Sequence, residues 1–314
     1  TENTEACPVF FGRVIRGVKN GPSPDWMQAR LKAVGINPKN MLVDVTNYLS
    51  IDRARPLHAY DLAKLQGKVS ARLGREGDRF MALDDKEYEA SEDMCVIGDE
   101  SSMIGLGGVM GGKGTAVSED TTDVFIEAAY FDPLRTARTG RATGIISDAR
   151  YRFERGIDTQ SSLEGLELAT QLIMDVCGGE ASEVTMAGAV PANPAAVAFY
   201  PNDVKRLTGV EMKTSDMRKI LKDLGFTLED TGEAWYMTPP SWRHDIEGSA
   251  DIVEEIIRVK GFDALPLTSL PAPEGGVRQV LTEPQRRVRT CRRVLAANGF
   301  LETVTWRFVS EAEA

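Results

Sequence analysis

Cysteine and histidine are scarce in this chain of 314 residues, with four of the first (Cys7, Cys95, Cys177, Cys291) and two of the second (His58, His244). The cysteines lie far apart with no CxxC or Cys/His spacing, which excludes a disulfide framework or a zinc ligand pattern and predicts buried free thiols. No apolar run approaches the roughly 20 residues that a membrane-spanning helix needs. The opening TENTEACPVF has no basic stretch leading into an apolar one, so a soluble, cytosolic protein is expected, with no membrane partner. Basic residues are the minority as well, 37 Lys and Arg against 47 Asp and Glu, for a net charge of −10. That argues against a general polyanion binder. One local exception runs from Arg135 to Arg155, where Arg135, Arg138, Arg141, Arg150, Arg152 and Arg155 face only Asp148 and Glu154. It reads either as a basic strip or as a solvated surface laced with ion pairs.

What the chain does have is glycine in one place. Gly105, Gly107, Gly108, Gly111 and Gly112 crowd a short stretch that leads into the strand-like run Val124 to Ala129, and that run contains one carboxylate, Glu127. Glycine lets a backbone or ligand approach closely, whereas a carboxylate turned toward a core costs several kcal/mol unless it is paired or receives a polar guest. Two readings are open: a pocket floor, or a tight hairpin with Glu127 pointing to water on the polar phase of its alternation.

The length and a hydrophobic content of 42% suffice for two or three domains with their own cores. Residues 8–19 read as a strand, broken by Gly21-Pro22-Ser23-Pro24, with Ser23 expected to cap a following helix. Residues 41–49 fit a helix or an inner strand equally. From Lys68 to Ile97 short strands between turn residues predict a β meander. Helices are expected over 133–142 and from about Thr159 to Cys177, and 188–196 (GAVPANPAA) is a Pro/Ala linker. Beyond it come a short strand, a helix from Asn202 to Leu207, a helix capped by Thr214 or Ser215, and two strands pairing across Asp230-Thr231-Gly232. That is a winged-helix-like outline. A helix from Asp251 to Lys260, a linker from Pro266 to Gly276, a helix from Pro284 to Asn298 and a strand over 302–309 complete the chain.

Taken together, VDVTNY (43–48), PLHAYD (56–61), LGGVMGG (106–112), FIEAAYFD (125–132), SDARYRFERGID (147–158), PSWRHDI (240–246) and DIVEEIIRVKGFDALP (251–266) resemble the bacterial phenylalanyl-tRNA synthetase β-subunit family. The resemblance runs in order over nearly the whole chain and implies an internal portion of such a subunit. It implies an α+β fold: a mixed editing domain (1–190) with β meander and packed helices, a small winged-helix-like domain (197–266), and the truncated start of a class II synthetase-like domain (277–314). The implied activity is hydrolysis of tyrosine wrongly esterified to tRNA(Phe), with the aminoacylation site and its ATP belonging to the α subunit of a heterotetramer of two α and two β chains. By the same resemblance Glu127 matches the acceptor for the tyrosine hydroxyl and His58 an editing residue at the ester end. Gly111 and Ala149 match small positions that leave room for substrate, and Asn47 and Ser147 match polar positions around the pocket. Ser147 stands where relatives often carry threonine. The alternative is a docking scaffold for tRNA and the α subunit with no activity of its own.

Asp251, Glu254 and Glu255 share a helix face, with Asp245 just upstream. Such a cluster suits a hard cation, and the resemblance implies Mg²⁺ at the α-subunit contact, weakly held in this piece alone. An acidic first turn with Asp251 as N-cap and Glu254 closing a capping box explains the same residues without metal. His244 is expected to be structural.

Overall fold

The computed structural model describes residues 1–271, 280–304 and 308–313. They form two compact units, Thr1–Pro266 and Leu267–Ala314.

The first unit opens with β1 (Val9–Arg16), α1 (Asp25–Ala33) and α2 (Met41–Asp52). The segment that periodicity left undecided is α2. The Asn40 side chain accepts from Val43 N and caps it, and Met41, Leu42, Val45 and Leu49 make its buried stripe. Ser23 does not cap α1 as expected. Its hydroxyl donates instead to the buried Asp44 carboxylate at 2.6 Å, a partner that local reading could not supply.

Then come β2 (His58–Asp61), β3 (Ser70–Leu73), β4 (Arg79–Met81), β5 (Glu87–Glu89), β6 (Cys95–Gly98), β7 (Met103–Leu106), β8 (Met110–Gly111) and β9 (Asp123–Tyr130). The strands between Lys68 and Ile97 are not a simple meander. β3 pairs with β6, and β4 and β5 form a separate hairpin between them, because the apolar Ala71 pairs with Ile97 across the longer loop. The glycine stretch is the β7–β8 hairpin, joined to the same small sheet in the order β3-β6-β7-β8.

Next are α3 (Pro133–Thr143), α4 (Asp148–Phe153), α5 (Ser161–Cys177), β10 (Glu180–Ala181) and β11 (Thr185–Gly188). The main sheet runs β10-β1-β9-β2, with β11 also on β1, and all its pairings are antiparallel. Its core joins Val9, Phe11 and Ile15 of β1 to Leu42 and Val45 of α2, Ile126 of β9, and Leu166 and Ile173 of α5.

Downstream lie β12 (Val197–Phe199), α6 (Asn202–Thr208), α7 (Thr214–Asp223), β13 (Thr227–Asp230), β14 (Trp235–Thr238) and α8 (Ser249–Lys260), around a core of Phe199, Leu221, Trp235, Met237 and Ile256. The hairpin gains a third strand, in the order β12-β14-β13. Neither Thr214 nor Ser215 caps α7; Lys213 stands at the cap with no side-chain bond.

In the second unit α9 (Glu283–Ala297) begins with a capping box between Thr282 and Gln285, and none of its residues is buried. Cys291 lies on it and is exposed, unlike the other three cysteines. Of the strand expected over 302–309, residues 305–307 lie outside the described residues, and 302–304 and 308–309 are not in regular structure. No helix among the described residues is long and apolar enough to cross a membrane.

Candidate functional site

Strand alternation builds the site. In the pairing of β2 with β9, His58 stands opposite Glu127 and Tyr60 opposite Phe125, so these four side chains share one face of the sheet. The β7–β8 hairpin closes over that face. At Gly111 a Cβ would lie 2.4 Å from Cε1 of His58, so the missing side chain is what admits the imidazole. At Gly107 a Cβ would meet the Phe131 ring at 2.7 Å. Between these elements, α2 and α4 lies a cavity of about 530 Å³, lined by Asn47, His58, Tyr60, Gly111, Glu127, Ser147 and Ala149 among others. All six residues singled out around the editing pocket therefore meet at one cavity.

They do not all stand ready in the same way. Glu127 does not face water; it is 7% exposed, and Tyr60 Oη donates to its Oε2 at 2.7 Å. Burial pushes its carboxyl up to about 7, opposed by the Tyr60 hydrogen bond and the Arg55 charge. His58 is pushed down to about 4 by burial, so its ring is neutral at physiological pH. Its Nε2 is buried without a partner among the described residues. Asn47 is half-buried on α2, and its amide bonds to no other described residue. Ala149 is half-buried and packs against the core below the cavity.

Ser147 is committed elsewhere. Its hydroxyl accepts from Arg150 N at 3.0 Å, capping α4, and donates to Val109 O at 2.6 Å, tying that helix to the glycine hairpin.

Two residues of the site were missed in the sequence, Tyr60 and Arg55. Both lie in or beside PLHAYD, and Tyr60 shares His58's phase by simple alternation, so the signal was present. Arg55 is fully buried, donates to Ala129 O, and leaves Nε and Nη1 without partners among the described residues. Burial lowers it to about 10 while the Glu127 charge raises it.

The arginine strip is largely ion-paired, in part with Asp93 outside it. Arg135 and Arg138 share Asp93, Arg150 and Arg155 share Glu154, and Arg152 meets Asp148 at 3.0 Å.

The acidic cluster at α8 is not gathered for a metal. Glu255 is gripped by Arg243 at 3.0 Å and Arg258 at 2.5 Å, and those hydrogen bonds hold its carboxyl below the usual range. Asp245 pairs with Arg243 at 2.6 Å. Asp251 Oδ2 accepts from Gly248 N and Glu247 N at the start of the helix, with Gly248 rather than Asp251 at the cap, and Glu254 is exposed. Among the described residues no group of three or more His, Cys, Asp or Glu is placed to hold a metal. Two guanidinium groups stand where a cation would have to go, so this arrangement does not fit Mg²⁺. His244 Nε2 donates to Ile157 O at 2.7 Å, a tie between the segment before α8 and the loop after α4.

The B3/4 domain family matches residues 6–178, and the tRNA synthetase B5 domain matches 197–262. A phenylalanine–tRNA ligase beta subunit from Paramagnetospirillum magneticum is 48% identical over 313 residues, covering 100% of this chain and 39% of that protein. One from Cereibacter sphaeroides is 50% identical over 311 residues, covering 99% and 38%. The chain thus spans about two fifths of the length of these relatives. A solved N-terminal fragment of the phenylalanyl-tRNA synthetase beta subunit from Pyrococcus horikoshii matches with a TM-score of 0.38 and 12% identity over 81% of this chain and 71% of that chain, a likeness too distant to carry an argument.

Proposed function

From the premise that the chain belongs to the B3/4 domain family, we propose that it is the editing portion of a phenylalanine–tRNA ligase β subunit, which hydrolyses tyrosine esterified to tRNA(Phe). The observation that carries this reading is the buried Glu127 carboxylate on the cavity wall, one oxygen held by Tyr60 and the other without a hydrogen bond to any described residue. A phenol entering the cavity supplies the missing partner; a phenyl ring leaves it unpaired. Sites built on that difference discriminate by roughly 10⁴–10⁵.

On this reading His58, the cross-strand neighbour of Glu127, acts at the ester end of the substrate. As a neutral ring it orients the ester or its attacking water rather than acting as a strong base. The α subunit, tRNA(Phe) and a heterotetrameric assembly are the partners this reading brings, with ATP used only at the α-subunit site. We read β12 to α8 as winged-helix-like, since three helices and a hairpin share its core, and the α9 segment as the start of a class II synthetase-like domain. Magnesium at the α-subunit contact would require Arg243 and Arg258 to give way on assembly.

The low basicity of His58 favours one second reading, a docking scaffold whose pocket does no chemistry. Incubating Tyr-tRNA(Phe) with the full-length protein and its partner subunit separates the two. Editing predicts deacylation well above the buffer rate, with the preference for tyrosine over phenylalanine reduced by on the order of tenfold to a hundredfold in Glu127→Ala. Deacylation at the buffer rate leaves the scaffold.

A further inference from the structure

Tyr60 is a cavity-wall residue with an assigned geometry and no assigned role. Its ring is 2% exposed and meets the His58 ring edge to face, 4.4 Å between centroids and 78° between planes. Its hydroxyl donates to Glu127 Oε2 at 2.7 Å. Burial, then the Glu127 charge, pushes the phenol well above its ordinary range, so it keeps its single proton and donates it as a hydrogen bond to Glu127.

We propose that Tyr60 is a positioning residue that fixes Glu127 as the hydrogen-bond acceptor for a hydroxyl-bearing side chain, so that discrimination for the hydroxyl depends on Tyr60 as well as on Glu127. The inference rests on the editing reading above. By binding one carboxylate oxygen, Tyr60 sets the direction of the other. It also favours the charged carboxylate against burial, and a carboxylate accepts from a phenol more strongly than a carboxylic acid, whose proton, with Oε2 taken by Tyr60, would sit on the oxygen left for the guest.

The groups that face Glu127 allow this to be isolated. His58 and Tyr60 come from β2, Arg55 from the turn before it, Cys7 from the segment before β1, and Cys95 from β6. β1 contributes Gly12, which has no side chain to titrate. Burial keeps His58 neutral and both thiols protonated over pH 6–8.5, and Arg55 stays charged there. Lys39, Lys113 and Asp148 line the same cavity and do not contribute to the shift at Glu127. A titration of selectivity near neutral pH therefore belongs to Glu127.

The test uses the full-length protein with its partner subunit. Deacylation of Tyr-tRNA(Phe) and Phe-tRNA(Phe) is followed over that pH range with buffer rates subtracted. Wild-type selectivity should rise with pH about a midpoint near 7. In Tyr60→Phe the midpoint should move up by about one pH unit, with selectivity at pH 7 lower by on the order of tenfold. A midpoint that stays in place, or a loss by the same factor at every pH, overturns the proposal, since a packing role predicts that. Should Tyr60→Phe not fold, 3-fluorotyrosine at position 60 keeps ring and hydroxyl while strengthening the donor. The midpoint must then move down, and an unmoved midpoint overturns the proposal equally. Wild-type protein that fails to hydrolyse Tyr-tRNA(Phe) removes the editing reading itself, which is a different result from editing with an unmoved profile.

Discussion

The His58 imidazole occupies the space that a side chain on Gly111 would fill: a Cβ there would lie 2.4 Å from Cε1 and 2.6 Å from Nε2. Strand β2 delivers the ring from one side and the β8 end of the glycine hairpin accepts it from the other. The small residue makes room first for His58, and only through it for anything bound in the cavity.

Gly111→Ala should therefore displace the imidazole. The backbone at 111 is not left-handed, so alanine fits the chain conformation and the conflict is confined to the ring. Hydrolysis of both esters should fall by on the order of tenfold or more, as it should in His58→Ala, with tyrosine preference kept and unfolding free energy changed by only about 1 kcal/mol. Parallel deacylation assays and urea unfolding check this. Undiminished hydrolysis in Gly111→Ala would show that the ring position does not matter.

Glu127→Gln should change how stability depends on pH. The folded carboxyl titrates at about 7 against an ordinary 4.5, so the folded state holds the proton more tightly than the unfolded chain. The stability this contributes is fully present below pH 4.5 and is lost as pH rises through about 7, a difference of roughly 3 kcal/mol. Glutamine keeps an acceptor for Tyr60 and carries no charge. Urea unfolding should find the variant more stable than wild type at pH 8.5, with no such gain at pH 5. Parallel stability curves would mean that Glu127 is not desolvated.

Much of this was legible in the residues. The strand-like run Val124 to Ala129 places Phe125 and Glu127 on a strand, and the glycines around Gly111 signal close approach, but PLHAYD is not among the strands expected from the sequence, although it carries His58 and Tyr60 in β2. What alternation cannot give is the register that sets His58 against Glu127, nor the long-range partners that claim a side chain. Ser23 looks like a helix cap until Asp44 is found beside it, and Asp251, Glu254 and Glu255 look like a cation site until Arg243 and Arg258 are seen to hold Glu255. Arg258 lies on the same helix as Glu255 and Arg243 is only 12 residues from it, but at Ser23 a local rule lost to a partner brought from elsewhere in the fold. The β3–β6 pairing defeated the meander in the same way, since nothing local tells a strand to skip its neighbour.

Magnesium offers a direct check on the acidic cluster. With Glu255 held by two arginines and Asp251 spent on backbone amides, this chain should show the same melting temperature with millimolar Mg²⁺ and with chelator. A site binding a thousandfold more tightly than the added concentration would raise stability by about 4 kcal/mol, readily seen as a shift in melting. Such a shift would show that the guanidinium groups yield to the ion.

Ser147 distinguishes a structural hydroxyl from one that works on substrate. Its Oγ accepts from Arg150 N and donates to Val109 O, so one atom both starts α4 and joins it to the hairpin that carries Gly111. Ser147→Ala removes the cap and leaves the Val109 carbonyl, at a residue that is itself buried, without that donor. The expected loss of stability is about 1–2 kcal/mol. Because α4 also positions Ala149 on the cavity wall, hydrolysis should fall as the wall loosens, while tyrosine preference, set at Glu127, stays. Ser147→Thr keeps the hydroxyl and both bonds, so it should recover stability to within roughly 0.5 kcal/mol and hydrolysis with it. Unfolding and deacylation measured on the same preparations decide the matter. If Ser147→Ala lowers hydrolysis and leaves stability untouched, the hydroxyl acts on the substrate, and the tie to Val109 is incidental.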